Sequence, residues 1–340
     1  MDKIMTEIEL TIGIPTYNGD RYLAETIDSV LLQLPDIQGR RIEIIISDNA
    51  STDNTSTIVK RYVAAYPEIV FYTANPQNIG YDRNVDMLFK AAKGEYLWLL
   101  GDDDMLVPGA LKKFFSVIQQ YKNIAIFVLS VSFLYINTGK KVWNRKYQAD
   151  RFCSDGDELL QQSLWGTSAL SSLCFRRNDW NTENLDKYLG TQWIHIGGMI
   201  EVMSHKRKAY IFSDEMVIVR MNNPRWAGHF GNQLEVGLKH LSVFETTTKL
   251  GYDSRTFKCF LADRYANNFK DIFFLRPPGF KCKMAIAERM IHFFKDKPGF
   301  WLFHLPVLFT PNVISGALVN IARRAKRIFK ILSLKAVISQ

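Results

Sequence analysis

The sequence predicts an α/β fold, a mostly parallel sheet with helices on both faces. Three observations predict it. Short apolar runs alternate with stretches of helical periodicity over the first third of the chain. Each run stops at a polar turn rich in Asn, Asp, Ser or Gly. The elements follow one another as β-α-β-α-β-α-β at short spacing, the pattern of parallel strands joined by helical crossovers.

In chain order, residues 10–14 are a short apolar run ended by Pro15, a first strand. The turn Thr16-Tyr17-Asn18-Gly19-Asp20 follows, with Asn18 or Asp20 able to cap the next helix. Leu23, Ile27, Val30, Leu31 and Leu34 then recur at helical spacing. Residues 42–46 (I-E-I-I-I) are a second strand, and 47–55 a polar loop in which Asp53 suits a helix cap. Ile58, Val59, Tyr62 and Val63 share one helical face. Residues 69–72 are a third strand. Asn78-Ile79-Gly80 opens a helix with Val85, Leu88, Phe89 and Ala92 on its apolar face, and Gly94 is its expected C-terminal cap. A fourth strand, 96–100, a helix, 110–121, and a strand, 124–131, complete this half. Beyond it the pattern loosens. It gives a hairpin turn at 137–140, a helix at 155–164, a strand at 168–175, a loop and helix across 180–201 and a strand at 211–219. From Gln233 the pattern is mostly helical, broken by Pro277-Pro278 and Pro298-Gly299. No internal repeat or low-complexity segment interrupts it. The expected organisation is a first domain over 1–232, with halves 8–135 and 136–232, and a helical region over 233–340.

The chain has 340 residues, 47% hydrophobic, 23% charged and 13% aromatic, a globular composition rather than a disordered one. Its net charge of +9 is unevenly placed. Beyond Asp296 there is no Asp or Glu, while Lys297, Arg323, Arg324, Lys326, Arg327, Lys330 and Lys335 are all basic. Such asymmetry points to an anionic partner surface. Cys153, Cys174, Cys259 and Cys282 lack any paired spacing and suit a reducing compartment. The N-terminus has no basic region followed by an apolar core, so no secretory signal is expected. No apolar run approaches the ~20 residues that span a bilayer.

Function concentrates at the strand ends. Right-handed crossovers put the loops that follow parallel strands on one sheet edge. Residues 15–18, 48–53, 78–83 and 102–104 therefore converge on one cleft. The last of these is the most unusual. Residues 94–109 read G-E-Y-L-W-L-L-G-D-D-D-M-L-V-P-G, an apolar strand that stops at three consecutive carboxylates. Open α/β sheets hold ligands at this edge. Three adjacent like charges repel, and a cation held by oxygen ligands relieves the repulsion. The plainer alternative is a solvated acidic turn.

With these motifs in hand, residues 10–110 resemble the nucleotide-sugar-binding half of a family 2 glycosyltransferase with the GT-A fold. The matching stretches are I-G-I-P-T-Y-N at 12–18, S-D-N-A-S-T-D-N-T at 47–55, N-I-G-Y-D-R-N at 78–84 and the acid block at 94–109. Four motifs in order within one strand–helix series are specific where one is weak. The likeness continues loosely to about residue 230. The 47–53 and 101–104 variants look similar to O-antigen transferases of the abequosyltransferase type.

The resemblance implies roles by position. Pro15, Thr16, Tyr17 and Asn18 would line the donor pocket, with Thr16 and Tyr17 at the nucleobase. Asp48 would hydrogen-bond the base, with Asn78 beside it, and Arg83 would reach base or diphosphate. Asp102 would hold the ribose. Asp103 or Asp104 would ligate Mn²⁺ or Mg²⁺, Gly101 standing where many members carry an acid. Arg225, Trp226 and His229 would belong to a loop over the diphosphate and acceptor. The family usually places a Glu-Asp pair before a late helix, and the Asp is the catalytic base. Here the matching segment is Gly190-Thr191-Gln192-Trp193, which has no acid. His195 is the nearest titratable group, with Asp186 and Glu201 as the other candidates. A His base predicts that transfer falls below about pH 6.5.

The tail adds a membrane reading. Ile314, Ala317, Leu318, Ile321, Ala325, Ile328, Phe329 and Leu332 fall at helical spacing, with Arg323, Arg324, Lys326, Arg327 and Lys330 on the other face. A basic amphipathic helix of this kind lies on anionic bilayers, and the alternative is a helix packed on the catalytic domain. Phe300, Trp301, Leu302 and Phe303 add interfacial anchors. No nucleic-acid motif accompanies the charge. The resulting expectation is an inverting, metal-dependent transferase, peripheral on the inner face of the plasma membrane. It would move sugar from a nucleotide-diphosphate donor to a lipid-linked surface glycan. A non-catalytic nucleotide-sugar-binding subunit of a glycan assembly complex is the alternative.

Overall fold

A computed structural model describes residues 7–143, 147–163, 168–223, 233–265, 284–298 and 300–306. Arg225, Trp226, His229 and the tail from 314 onward lie outside the described residues. The chain forms two compact units, residues 1–227 with 242–257, and residues 228–241 with 258–340.

The first unit is built on a parallel core. Strands β1 (Leu10–Thr16), β2 (Ile42–Asp48), β3 (Val70–Ala74) and β4 (Tyr96–Leu99) pair in parallel in the order β3-β2-β1-β4. β1 and β2 are buried along their whole length, as strands covered on both faces must be. Helices α1 (Leu23–Leu31), α2 (Thr55–Ala65) and α4 (Ala110–Gln120) share one core with Ile12, Ile14, Ile44 and Ile46. Helix α3 (Tyr81–Ala91) packs on the opposite face, where Leu88 meets the β1 backbone at Gly13. The register pairs Thr16 with Asp48, so the ends of β1 and β2 lie side by side on the same edge.

The second half departs from a simple continuation. Strand β6 (Ile124–Tyr135) follows α4 but does not pair with β4. Strand β9 (Leu173–Arg176) is inserted between them, antiparallel to both, with Cys174 opposite Trp98 on one side and Phe127 on the other. The strand expected at 168–175 starts late because residues 170–172 form a 3₁₀ turn. Strand β10 (Lys208–Met221) runs parallel to β6 with register shifts near residues 211–217. It also pairs antiparallel with the two-residue β5 (Met105–Leu106), so Leu106 faces Val217. That pairing joins the far side of the acid turn to β10. Strands β7 (Lys140–Trp143) and β8 (Arg151–Cys153) extend β6 and β10. Helices α5 (Gly156–Ser163) and α6 (Ile194–Ser204) complete this half. Further on come α7 (Gln233–Glu245), α8 (Ser254–Arg264), α9 (Met284–Phe294) and a π-turn, Phe300–His304. Among the described residues no helix is long and apolar enough to cross a membrane.

Two local expectations change. Neither Asn18 nor Asp20 caps α1, whose N-cap is Tyr22 without a side-chain bond. Asn18 instead accepts a hydrogen bond from Thr52 N–H, tying the first loop to the second. Gly94 is no left-handed cap, since α3 ends at Ala91 with Ala92 extended. Glycine is needed there because a Cβ would lie 2.5 Å from Thr11 N, where residue 94 crosses β1. Gly94→Ala should therefore cost about 1–3 kcal/mol through overpacking against backbone. Chemical denaturation measures this, and wild-type stability would refute the close approach.

Candidate active site

The four loops do meet. Thr16, at the end of β1, donates its hydroxyl to Asp102 Oδ2 at 2.6 Å. Thr26 of α1 donates to the Asp102 carbonyl at 3.1 Å. Gly19 lies against this pair, where a Cβ would sit 2.4 Å from Thr16 Oγ1 and 2.6 Å from Asp102 Oδ2. Any side chain at 19 would push Asp102 away. Asp53 accepts the Thr55 N–H in the first turn of α2 and the Asp20 N–H of the neighbouring loop, a structural role.

Asp48 is buried, with both oxygens engaged. Oδ1 accepts Ser51 N–H at 2.8 Å and the Ser51 hydroxyl at 2.6 Å, and Oδ2 accepts the Tyr72 hydroxyl at 2.7 Å. A base N–H would share Oδ2 with Tyr72, since a carboxylate oxygen has two lone pairs. Behind it runs an amide network. Asn49 donates to Asn78 at 2.8 Å and accepts Ile79 N–H and the Asn75 amide. Asn84 donates to the Ser47 carbonyl and accepts the Ser47 hydroxyl. The loops after β2 and before α3 are thereby one rigid piece. Pro15 is buried in β1, Tyr17 is 43% exposed at the mouth, and Arg83 is exposed on the first turn of α3.

All three acids of the central turn are buried. Asp103 Oδ2 accepts the Asn223 amide at 2.7 Å, and its carbonyl accepts Arg220 Nη1 at 2.7 Å. Asp104 accepts the Ser171 hydroxyl on Oδ2 at 2.5 Å and Arg220 N–H on Oδ1 at 3.1 Å. Burial, with the charges of Asp103 and Asp102, pushes the Asp104 pKa up to about 8, and the Ser171 and Arg220 bonds only partly offset this. Among the described residues no three His, Cys, Asp or Glu side chains converge as a metal cage. The donor set nevertheless fits a hard cation of the Mg²⁺ kind, which takes one or two carboxylates and fills its shell with water and phosphate oxygens. Asp104 is bonded on both oxygens, by Ser171 and Arg220, and Asp103 by the Asn223 amide on Oδ2.

The base candidates separate. Asp186 is exposed on a 3₁₀ turn. Glu201 accepts the Tyr188 hydroxyl and pairs with Lys187 Nζ, both at 2.7 Å. It stands six residues beyond His195 on α6, about 240° around a helix of 3.6 residues per turn, so the two face different ways. His195 is only 3% exposed, with Nδ1 3.3 Å from the Tyr81 hydroxyl. Tyr81 is half-buried, and burial with Asp82 and Asp104 raises its pKa well above the usual value. Its hydroxyl thus joins His195 to the field of the acid turn. Asp82 accepts Gln192 N–H at 2.9 Å and Ile194 N–H at 3.2 Å, which fastens the 190–195 segment to α3. Burial pulls the His195 pKa down to about 4, with the Ser168 backbone acting against it. That corrects the acid limb expected near pH 6.5: if His195 is the base, activity falls only towards about pH 4. Sequence reasoning missed Tyr81, Asp82, Ser171, Arg220 and Asn223. Tyr81 and Asp82 stood inside a quoted motif, whereas Ser171, Arg220 and Asn223 carried no local signal.

The model of glycosyl transferase family 2 matches residues 11–181, half of the chain and the whole parallel core. The chain is a family 2 glycosyltransferase. This glycosyltransferase is 29% identical over 235 residues to abequosyltransferase RfbV of Salmonella typhimurium, covering 63% of this chain and 67% of that protein. It is 29% identical over 144 residues to the minor teichoic acid biosynthesis protein GgaB of Bacillus subtilis, 42% of this chain but only 16% of GgaB. In fold, the glycosyltransferase is similar to Staphylococcus aureus TarS 1–349, solved in complex with UDP-GlcNAc. The TM-score is 0.61 at 16% identity, covering 88% of this chain and 84% of that one. GalNAc-T7, solved with UDP, GalNAc and Mn²⁺, gives 0.55 at 14% identity, over 89% and 59%.

The two shifted groups make a pH prediction for the metal-free glycosyltransferase. Native Asp104 keeps its proton to about pH 8, whereas the unfolded chain releases it near 4, so this residue's stabilisation is present at low pH and lost as pH rises to 8. Native His195 stays neutral to about pH 4 while the unfolded chain protonates near 6.5, so its effect is opposite in sign and confined below about 6.5. Between pH 6.5 and 8 the Asp104 effect stands alone. Stability in EDTA should fall across that window, and Asp104→Asn should flatten the fall. Denaturation curves at both pH values test it, and an equal slope in the variant would count against a protonated Asp104.

Proposed function

We propose that the protein is an inverting, metal-dependent glycosyltransferase. It moves a sugar from a nucleotide-diphosphate donor to a hydroxyl of a lipid-linked surface polysaccharide intermediate, of O-antigen or capsule type. The observation that carries the reading is the meeting of Thr16, Asp48 and the Asp102–Asp104 turn at one sheet edge, with the His195 segment fastened beside them through Asp82. The names of RfbV and GgaB and the UDP-GlcNAc complex of TarS support donor and product class.

Pro15, Thr16, Tyr17, Asn18 and Asn78 shape the donor pocket, with the exposed Tyr17 ring available for stacking on a base. Asp48 accepts a base N–H, Asp102 accepts from the ribose hydroxyls, and Arg83 reaches the diphosphate from the solvent side. A divalent ion, Mn²⁺ or Mg²⁺, held by Asp103, would supply charge neutralisation for the departing diphosphate. The acceptor oxygen forms its bond to the anomeric carbon on the face opposite the breaking bond, and the electron pair of that bond leaves with the diphosphate. The acceptor proton passes to the Tyr81 hydroxyl as Tyr81 hands its own to His195 Nδ1.

Membrane docking fits a lipid-linked acceptor. The second unit carries 16 Lys and Arg against five Asp and Glu, net +11, while the first unit, with the remaining 27 and 29, is net −2. In the second unit Trp301 and Leu302 are exposed side by side, and the Trp301 indole is pinned to the Lys295 carbonyl at 2.7 Å. The site of action is the cytoplasmic face of the plasma membrane.

Asp103→Asn should abolish transfer while the fold persists, and Asp48→Ala should mainly weaken donor binding. His195→Ala and Tyr81→Phe should each cut turnover by about 10²–10⁴ with little change in donor affinity, the usual range for losing an acid–base group. Turnover above about a tenth of wild type in His195→Ala would pass the role to Asp186 or Glu201. Removing residues 314–340 should release the protein from anionic vesicles and spare donor hydrolysis, and salt should weaken wild-type binding. A truncated protein that still sediments with vesicles would overturn the tail's role.

A further inference from the structure

Arg220 belongs to no motif in the sequence, yet it is among the most deeply buried charges of the first unit, at 7% exposure near the end of β10. Beyond its place opposite Leu134 in the β6–β10 pairing, its contacts concern the acid turn and the start of α1. Its backbone N–H goes to Asp104 Oδ1, and Nη1 goes to the Asp103 carbonyl at 2.7 Å. Nη2 pairs with Glu25 of α1 and touches Met105 Sδ at 3.2 Å. The guanidinium lies 4.5 Å from the centroid of the Tyr22 ring. One planar group thus spans α1, the acid turn and β10.

The geometry points to Arg220 as a positioning residue, the built-in cation that holds the Asp102–Asp104 turn in its binding shape before any metal or diphosphate arrives. The inference rests on the metal reading above and names a residue that serves it. Three buried acids without a counter-charge would splay apart or take up protons. A guanidinium bonded to the Asp103 carbonyl lowers that repulsion through the backbone, without itself bonding the Asp103 carboxylate. Lysine would not replace it, because a single ammonium lacks the forked donors that reach both the Asp103 carbonyl and Glu25. Preorganisation then lowers the ordering that metal binding must impose. The Glu25 end is at the surface, with the carboxylate side chain 58% exposed.

The test uses the full chain with Arg220→Gln, Arg220→Lys and Glu25→Gln. Hydrogen exchange on the metal-free proteins reads the turn itself. Residues 101–106 should exchange at least tenfold faster in Arg220→Gln, with β1 and β2 unchanged, and Arg220→Lys should recover only part of the protection. Titration with Mn²⁺ alone, followed by electron paramagnetic resonance, should show affinity at least tenfold weaker in Arg220→Gln and a smaller loss in Glu25→Gln. Wild-type protection of 101–106 in Arg220→Gln, or Mn²⁺ affinity within twofold of wild type, would overturn the inference. If wild type itself binds no Mn²⁺, the metal reading fails instead, and the exchange experiment still decides the clamp.

Discussion

The constraint on which this structure depends is the burial of Asp102, Asp103 and Asp104 side by side in one turn. Burial and neighbouring like charge both oppose the ionised form of such groups, and Asp104 shows it, its pKa being pushed up to about 8. A turn carrying three buried acids does not hold its shape by local bonding alone. Its donors come from far along the chain: the Thr16 hydroxyl from β1, the Ser171 hydroxyl from the turn before β9, and Arg220 and Asn223 from the end of β10. This gives the irregular second half a purpose. The antiparallel insertion of β9 brings Ser171 to Asp104, and the β5–β10 pairing brings Arg220 to the turn.

The donor side is built on a different principle. The loops after β2 and before α3 are held by neutral amides and hydroxyls, with Asn49, Asn75, Asn78 and Asn84 bonded to one another or to backbone. Such a network is specific because each unmet donor or acceptor in it costs desolvation energy. It fixes Asp48 without placing a cation beside it. Both Asp48 oxygens are held by hydroxyl and backbone donors instead, from Ser51 and Tyr72.

The legible part of the molecule was the part made by local pattern. Buried parallel strands show as apolar runs, and crossover handedness then brings 15–18, 48–53 and 102–104 together without further information. What sequence could not show depends on long-range pairing. Ser171 reaches Asp104 across 67 positions, and Arg220 reaches Asp103 across 117. Gly94 was misread for a similar reason, since a cap and a close strand crossing both require glycine and only the fold separates them. The pKa of His195 was beyond reach too, because its shift comes from burial.

The missing acid of the 190–193 segment has a structural answer. An acid does stand at that segment, but it comes from α3. Asp82 accepts the N–H groups of Gln192 and Ile194, at the first turn of α6. Both its oxygens are used, Oδ2 by Gln192 and Oδ1 by Ile194. A carboxylate so placed fixes the backbone of the 192–194 segment. Asp82 is given to anchoring, Glu201 is turned towards Lys187, and Asp104 is raised by burial and by its acidic neighbours, which is why the proposed mechanism uses the neutral imidazole of His195. A buried imidazole pulled down to about 4 stays unprotonated throughout the physiological range, and it is ready to accept whenever the Tyr81 hydroxyl delivers a proton. Burial therefore weakens His195 as a base and at the same time keeps it in the form that a base needs.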